Sequence, residues 1–583
     1  MTDPLPEDTA PDGIEAGKRL IRQSGGKGLS LAERLSERLE RLAWRTPFHA
    51  LRLRGKHPLK LIAVADDPFF GDVERGHALL DGVVLFRGEA VPITALSLPR
   101  PTFSAPFAEY LHSFAWLRDL SSVATRATAA PIAEAIMRHW LAAHESKVSD
   151  PAWRADLWGR RLLFWTAHAP LILSSTDLVY RSKVLHALAR GARHLDNTAA
   201  KVAAGVPRVA AWCGVVAAGL MIPGGDPRRV FGEAGLARAL GTAVFEDGGT
   251  LGRSPADQLD LIQLLTMLRE TYVARRMETP DLLGETLTRL VSALLGVCHA
   301  DGGLGSWQGS APVSGDRIEQ IVEATGVRTR PLRQARDWGY QRLSAGKTVV
   351  MLDAAPPPAN RQATGGCAST LAFELSDAGQ RIVVNCGGAN GALLTLPPTL
   401  ASALRTTAAH STLVLGDSNS TAIHADGALG RGVTEVELSR QETDALSRIE
   451  ASHDGYVRRL GLIHRRLVTL STDGRDFVGE DTLLPASARG GSSGKQGDVG
   501  FTIRFHLGLG VEVAPTADGL AAFLRLPDGR SVWQFRCRGA ALGVEESLWI
   551  DGDGRPHGTQ QLVLTGIAQP GGAGIGWRFH RAR

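Results

Sequence analysis

The chain has 583 residues, 44% hydrophobic and 21% charged, with 65 basic against 60 acidic side chains and a formal charge of +5. Such a length suggests two or more domains, with cores large enough to need no cross-links. The even charge gives no argument for nucleic acid as a partner, although a local basic groove could still attract an anionic glycan. The five cysteines, Cys213, Cys298, Cys367, Cys386 and Cys537, form no CxxC pair, so neither a zinc ribbon nor a disulfide framework is indicated. No window holds the ~18 uninterrupted apolar residues of a membrane span.

In chain order, residues 1–28 are polar, carry Gly and Pro and lack periodicity, and are expected to be a disordered tail. The start has no basic n-region followed by an apolar h-region, so no secretory signal is read there. Leu29 to Trp44 spaces leucines at helical intervals among Glu and Arg, which predicts an amphipathic helix. His57 to Val64 reads as extended. From about residue 110 to 325 helices dominate. They are expected at Pro131 to His144, Asp156 to Ile172, Thr176 to His194, Thr198 to Leu220, Arg228 to Phe245, Pro255 to Arg276 and Pro280 to Cys298. Ser254-Pro255 and Thr279-Pro280 each set a capping hydroxyl before a proline at the first helical position.

From about Trp338 the apolar period falls to 2. Short strands are expected at Thr348 to Leu352, Thr370 to Leu375, Ile382 to Asn385, Thr412 to Leu415, Leu460 to Leu470, Phe501 to Leu507, Val532 to Arg536 and Gln561 to Leu564. Many short strands parted by Gly, Asp and Asn turns predict an antiparallel sandwich, with the switch from helix to strand between about 325 and 345. Arg489 to Asp498 is a Gly/Ser-rich insert and reads as a flexible loop. It is not a phosphate loop, because Gln496 follows Lys495 where Ser or Thr is needed.

The chain is organised around Gly365-Gly366-Cys367-Ala368-Ser369-Thr370-Leu371-Ala372-Phe373-Glu374-Leu375, followed by a strand ending Asn385 and by Ala409-His410-Ser411-Thr412. This order resembles the heparinase II/III-like polysaccharide lyases, whose pattern here is HxHxD-T-L-x-F-E, a strand ending Asp-x-Gly, then His-Asn/Ser-Thr. The resemblance covers about residues 45 to 570. It implies an α/α-toroid-like helical domain (29–335) followed by an antiparallel β-sandwich (336–583). It also implies β-elimination on an acidic, uronate-containing glycan, in which a base takes the C5 proton, an acid protonates the leaving oxygen and polar donors hold the carboxylate. The rival reading is a catalytically eroded glycan-binding or envelope-polysaccharide assembly protein on the same scaffold. Family members work in the periplasm or cell envelope, whereas the missing signal favours the cytoplasm. A homodimer is compatible with either reading.

By register, three positions that hold a metal in the family fall on Cys367, Asn385 and His410. Zinc or calcium is the metal expected there if the site survives; otherwise Cys367 and Asn385 are strand residues of a shell that has lost it. The first His of HxHxD falls on Gly365 and its Asp on Ser369. Glu246 to Gln258 resembles a family segment whose catalytic Tyr-His falls on Asp257-Gln258. Asp257 is read as a catalytic group or as half of the capping box Ser254-x-x-Asp257. His453 and Tyr456, in His453-Asp454-Gly455-Tyr456, approach substrate or serve a hairpin turn and ring packing. His410 is a ligand, a substrate-orienting group or a buried histidine satisfied by the sheet. Arg208 stands near the position of a family asparagine that holds the substrate carboxylate, where it pairs with that group or lies on a helix surface. Trp116 and Arg118 line a sugar subsite or pack among helices.

Overall fold

The computed structural model describes residues 17–22, 46–96, 103–359, 365–486 and 497–582. The expected helix Leu29 to Trp44, the first sixteen residues of the expected tail and most of the Gly/Ser insert lie outside these residues. Within the expected tail, however, Gly17–Arg22 forms a β-strand. It pairs antiparallel with Glu435–Glu442 and buries Ile21 against the sandwich core. Burial alternates along it, with Ile21 buried between exposed Leu20 and Arg22, but Lys18-Arg19-Leu20-Ile21 carries no period-2 hydrophobic pattern that would announce a strand.

The helical part is α/α-toroid-like, and its innermost helix is Val206–Met221. Fourteen of its residues are buried, in keeping with a sequence apolar on every face. It packs on Ala155–Ala167, Asp226–Leu240 and Pro255–Ala274. The crossing with Ala155–Ala167 is close because both helices carry glycine there. A Cβ on Gly159 would stand 1.9 Å from the Ala210 carbonyl oxygen, and one on Gly214 would stand 2.4 Å from the Gly159 Cα. Around the first helices, Trp140 and Trp158 flank the fully buried Arg161, whose guanidinium carbon lies 4.3 and 4.2 Å from their ring centres. Two expected helices are divided: Asp156 to Ile172 breaks at His168, and Thr198 to Leu220 becomes a short 3-10 turn followed by the helix from Val206. The hydroxyl of Ser254 accepts from the Asp257 N–H at 3.3 Å and fixes the start of Pro255–Ala274.

The first long strand of the C-terminal part, Tyr340–Ala345, follows the last toroid helix, Gly315–Thr325, so the switch falls in the expected interval. Two antiparallel sheets follow, of nine and eight strands. The nine-stranded sheet begins with Gly17–Arg22, Glu435–Glu442, Leu446–His453 and Leu462–Ser471, and the last of these alternates buried and half-buried residues without interruption. Phe373 and Phe505 from one sheet meet Phe477, Trp577 and Phe579 from the other to form the sandwich core.

The two parts are joined by buried polar contacts. Arg253, with φ of 54°, donates to Asp353 at 2.6 Å and to the Trp338 and Pro356 carbonyls at 2.8 Å each. This seam positions the site.

Candidate functional site

The seam contains Glu374, from the organising stretch. One of its oxygens lies 2.8 Å from Nε2 of His299, contributed by the helical part. The other accepts from the Asn385 N–H (2.9 Å), the Asn385 side-chain amide (3.0 Å) and the Ser306 N–H (3.3 Å). These donors hold Glu374 below the usual carboxylate range despite its burial, while burial, and then Arg381, lower His299. Asn385 completes the clamp by accepting from the Ser411 N–H at 3.0 Å. The place where the resemblance implies a metal is therefore filled by hydrogen bonds across the seam.

The sequence-predicted metal set sits in the same neighbourhood, but its donors do not suit a divalent cation. Cys367 is buried, burial pushes its thiol up to about 12, and its Sγ donates to the Gly365 carbonyl at 3.3 Å. A ligating thiol must lose its proton, and at Cys367 burial outweighs the nearby Arg405 charge and the Gly309 backbone contact that favour that loss. Both ends of the Asn385 amide are engaged as described. His410 keeps ligand geometry: its Nδ1 is 2.7 Å from the Thr406 carbonyl oxygen, which leaves Nε2 as an unprotonated acceptor. Among the described residues no cluster of three or more His, Cys, Asp or Glu side chains could hold a metal ion.

The other family positions are occupied in kind. At Gly365 a Cβ would stand 2.2 Å from the Asn390 amide nitrogen and 3.1 Å from the Gln308 carbonyl oxygen, so a side chain where the family has histidine requires Asn390 to move aside. Ser369 donates to Asp353 at 2.7 Å and accepts from Gln308 at 2.9 Å. Gln258 is buried. Its Oε1 accepts from the Thr250 N–H at 2.9 Å, and its amide donates to the Gly248 and Leu290 carbonyls at 2.7 and 2.9 Å. Asp257 differs from its neighbours. Ser254 supplies its half of the capping contact, while the Asp257 carboxyl is half-buried and has no hydrogen-bond partner among the described residues. Burial, with the charge of Asp260 added, pushes this carboxyl up to about 7, and Arg160 opposes the shift.

His453 and Tyr456 lie side by side, with ring centres 5.5 Å apart, and both are buried. Nδ1 of His453 accepts from the Gly455 N–H at 3.1 Å, and its Nε2 lies 3.3 Å from His464, which reaches Asp481 at 2.7 Å. Burial holds His453 well below the ordinary imidazole range. The Tyr456 hydroxyl donates to the Leu413 carbonyl at 2.8 Å. Arg208 donates to the Val202 carbonyl at 2.7 Å. Trp116 is fully buried, with its N–H on the Leu111 carbonyl at 3.3 Å. Arg118 forms a bidentate pair with Asp67 at 2.8 and 3.0 Å and donates to Gln263 at 2.9 Å.

Sequence reasoning missed the open part of the seam. A groove of about 770 Å³ runs between the helical part and the sandwich, lined by Arg75, Arg317, Arg381, Leu393 and Trp549 and by the carboxylates of Asp72, Asp301, Asp551 and Asp553. Arg381 pairs with Asp301 at 2.8 Å, and Arg317 donates to the Phe70 carbonyl at 3.0 Å. These arginines are far apart in sequence, so no local motif could announce them. Glu374 was legible as part of the organising stretch, but its partner His299 was not.

Residues 327–578 match the family model described as Heparinase II/III-like, C-terminal. FtsZ-localized protein C of Caulobacter vibrioides (strain NA1000 / CB15N) is 28% identical over 560 residues, 92% of this chain and 92% of that protein. Among solved structures, the heparan sulfate lyase HepC from Pedobacter heparinus is 15% identical, with a TM-score of 0.61 over 92% of this chain and 87% of its own. A heparinase III structure is 13% identical, with a TM-score of 0.67 over 96% and 93% of the two chains.

Proposed function

The chain is heparinase II/III-like, and from that premise we propose that it binds where its relatives cleave. It is an FtsZ-localised assembly protein on a lyase scaffold, which keeps the interdomain groove for an acidic glycan and has given up β-elimination. The observation that carries this reading is the fate of the proton carriers. Elimination needs a base and an acid that reach substrate. Of the predicted groups, His410, His453 and Tyr456 are 1%, 2% and 1% exposed, and each has a polar atom bonded to the protein itself. For the binding half, Arg75, Arg317 and Trp549 offer the groove's contacts for an anionic sugar polymer, set among Asp72, Asp301, Asp551 and Asp553, which restrict where its carboxylates can lie. The similarity to FtsZ-localized protein C over nearly its whole length supports the assembly half.

The test incubates the protein with uronate polysaccharides and follows both retention on the immobilised glycan and absorbance of the unsaturated product. The expected result is retention without product, together with capture of FtsZ by the protein in a pull-down. Steady product formation would overturn the reading. One observation favours a second reading, a lyase with a substituted base: the Asp257 carboxyl, on which the resemblance puts a catalytic tyrosine, has no hydrogen-bond partner among the described residues and is pushed up to about 7. In that case product formation would disappear in Asp257→Asn.

A further inference from the structure

The helical part holds a second cavity, of about 610 Å³, which shares no lining residue with the groove. It opens between helices Ala105–Ser113 and Arg126–His144 and the turn that leads into Ala155–Ala167. Its volume falls in the range of small-molecule sites, roughly 300–1,000 Å³. Phe103, Leu111, Phe114, Ile136 and Trp140 give it apolar walls.

Three polar side chains in this apolar setting are unspent, His112, Lys147 and the half-buried His139, which has no hydrogen-bond partner among the described residues. His112 lines the cavity and is 5% exposed. Its Nδ1 accepts from the Trp140 N–H at 3.3 Å; indole nitrogen only donates, so the imidazole proton is on Nε2. That N–H has no hydrogen-bond partner among the described residues. Lys147 is exposed at the rim and has no ion-pair partner among the described residues. The acceptors are already engaged: Glu109 takes Arg154 at 2.6 Å, and Ser149 lies 3.5 Å from His144. Burial lowers His144 to about 4, so at neutral pH its ring adds no charge. A sugar, which needs several donors and acceptors, finds few here. A cationic head would meet Lys147.

We propose that this cavity binds an amphiphile with one carboxylate head and an apolar body, the chemical class of a medium- or long-chain fatty acid. The body lies against Phe114, Ile136 and Trp140, and the head-group oxygens accept from Lys147 and the His112 N–H. The unpaired buried donor and the rim cation give the polarity; the walls give the affinity.

The experiment titrates the full chain with dodecanoate below its micellar concentration, by calorimetry, beside dodecylammonium and a uronate oligosaccharide. Two variants are carried through, Ala143→Trp to fill the cavity from an exposed position and Lys147→Glu to reverse the rim charge, each checked for folding by circular dichroism. The expected result is saturable one-to-one binding of dodecanoate, weakened about tenfold by either variant, the loss appropriate to one charge-assisted contact. Absence of saturable binding would overturn the proposal, as would equal binding of dodecylammonium. Parent-like affinity in both variants, or displacement of dodecanoate by the oligosaccharide, would overturn it by placing the binding elsewhere.

Discussion

The two halves of the interdomain seam have met opposite ends. Around Glu374, Asn385, Gln258 and Ser369 every named side chain bonds to protein and the space is filled, whereas the groove beside them, lined by Arg75, Arg317 and Trp549, stays open even though both arginines also contact protein. The difference follows from burial. A buried polar group that loses its ligand must find a protein partner or cost free energy, so an abandoned buried site closes into a hydrogen-bond network. A solvated groove carries no such penalty and persists.

The largest expected effect comes from breaking the closed half. Glu374→Leu leaves His299, Ser306 and the Asn385 amide without their shared acceptor. Burial keeps the His299 imidazole neutral, so the cost is that of buried donors left unsatisfied, about 1–3 kcal/mol for each, read as a fall in denaturant midpoint. A loss under about 1 kcal/mol, the scale of an exposed pair, would show that the clamp does not hold the seam.

Next is restoration of a family letter. Gln258→His gives up an acceptor for Thr250 and donors to Gly248 and Leu290. It should destabilise by about 1–3 kcal/mol, as unsatisfied buried groups do, and create no lyase activity. A stable variant that yields unsaturated product would reopen the catalytic reading at this position.

pH separates two carboxyls near the seam. Asp67 is held at about 2 by Arg118 and His168 against burial, below its ordinary 3.8. Its contribution is present above 3.8 and is lost as pH falls toward 2, so stability declines on acidification, by about 2 kcal/mol for a shift of this size. Asp257 runs the other way. Raised to about 7, it binds its proton more tightly folded than unfolded, so its ionisation weakens the fold as pH rises from about 4 to 7. Asp257→Asn should therefore raise the melting temperature above pH 7, with the difference shrinking toward pH 4 in a melting series.

How much of this was legible follows the range of the signal. The helix-to-strand switch, the capped start at Ser254 and the alternation of Leu462–Ser471 are local patterns, and the sequence displays them. Gly365 was legible as a lost letter, but not as a position crowded by the Asn390 side chain, because Asn390 lies 25 residues away in sequence. The contacts of His299 with Glu374 and of Arg253 with Asp353 span 75 and 100 residues, and nothing local marks them. Asp257 was read as a catalytic group or as half of a capping box; of the capping contacts only that of Ser254 is made, because the carboxyl stays beside Asp260 and Arg160.

The smallest effect on stability belongs to the open half. Arg317→Ala removes a half-buried groove cation that, among the described residues, donates to the Phe70 carbonyl. Melting should move little, while retention of an acidic glycan falls a few-fold and becomes less sensitive to salt.

The central claim, a retained scaffold without elimination, is tested most directly by one assay. Purified protein is incubated with uronate polysaccharides across about pH 5–9, the span in which imidazole and raised carboxyl groups titrate, and the unsaturated product is followed by absorbance. The account predicts a flat trace at every pH while the glycan remains bound. A rate that rises with pH through about 7 in the parent protein and vanishes in Asp257→Asn would contradict it.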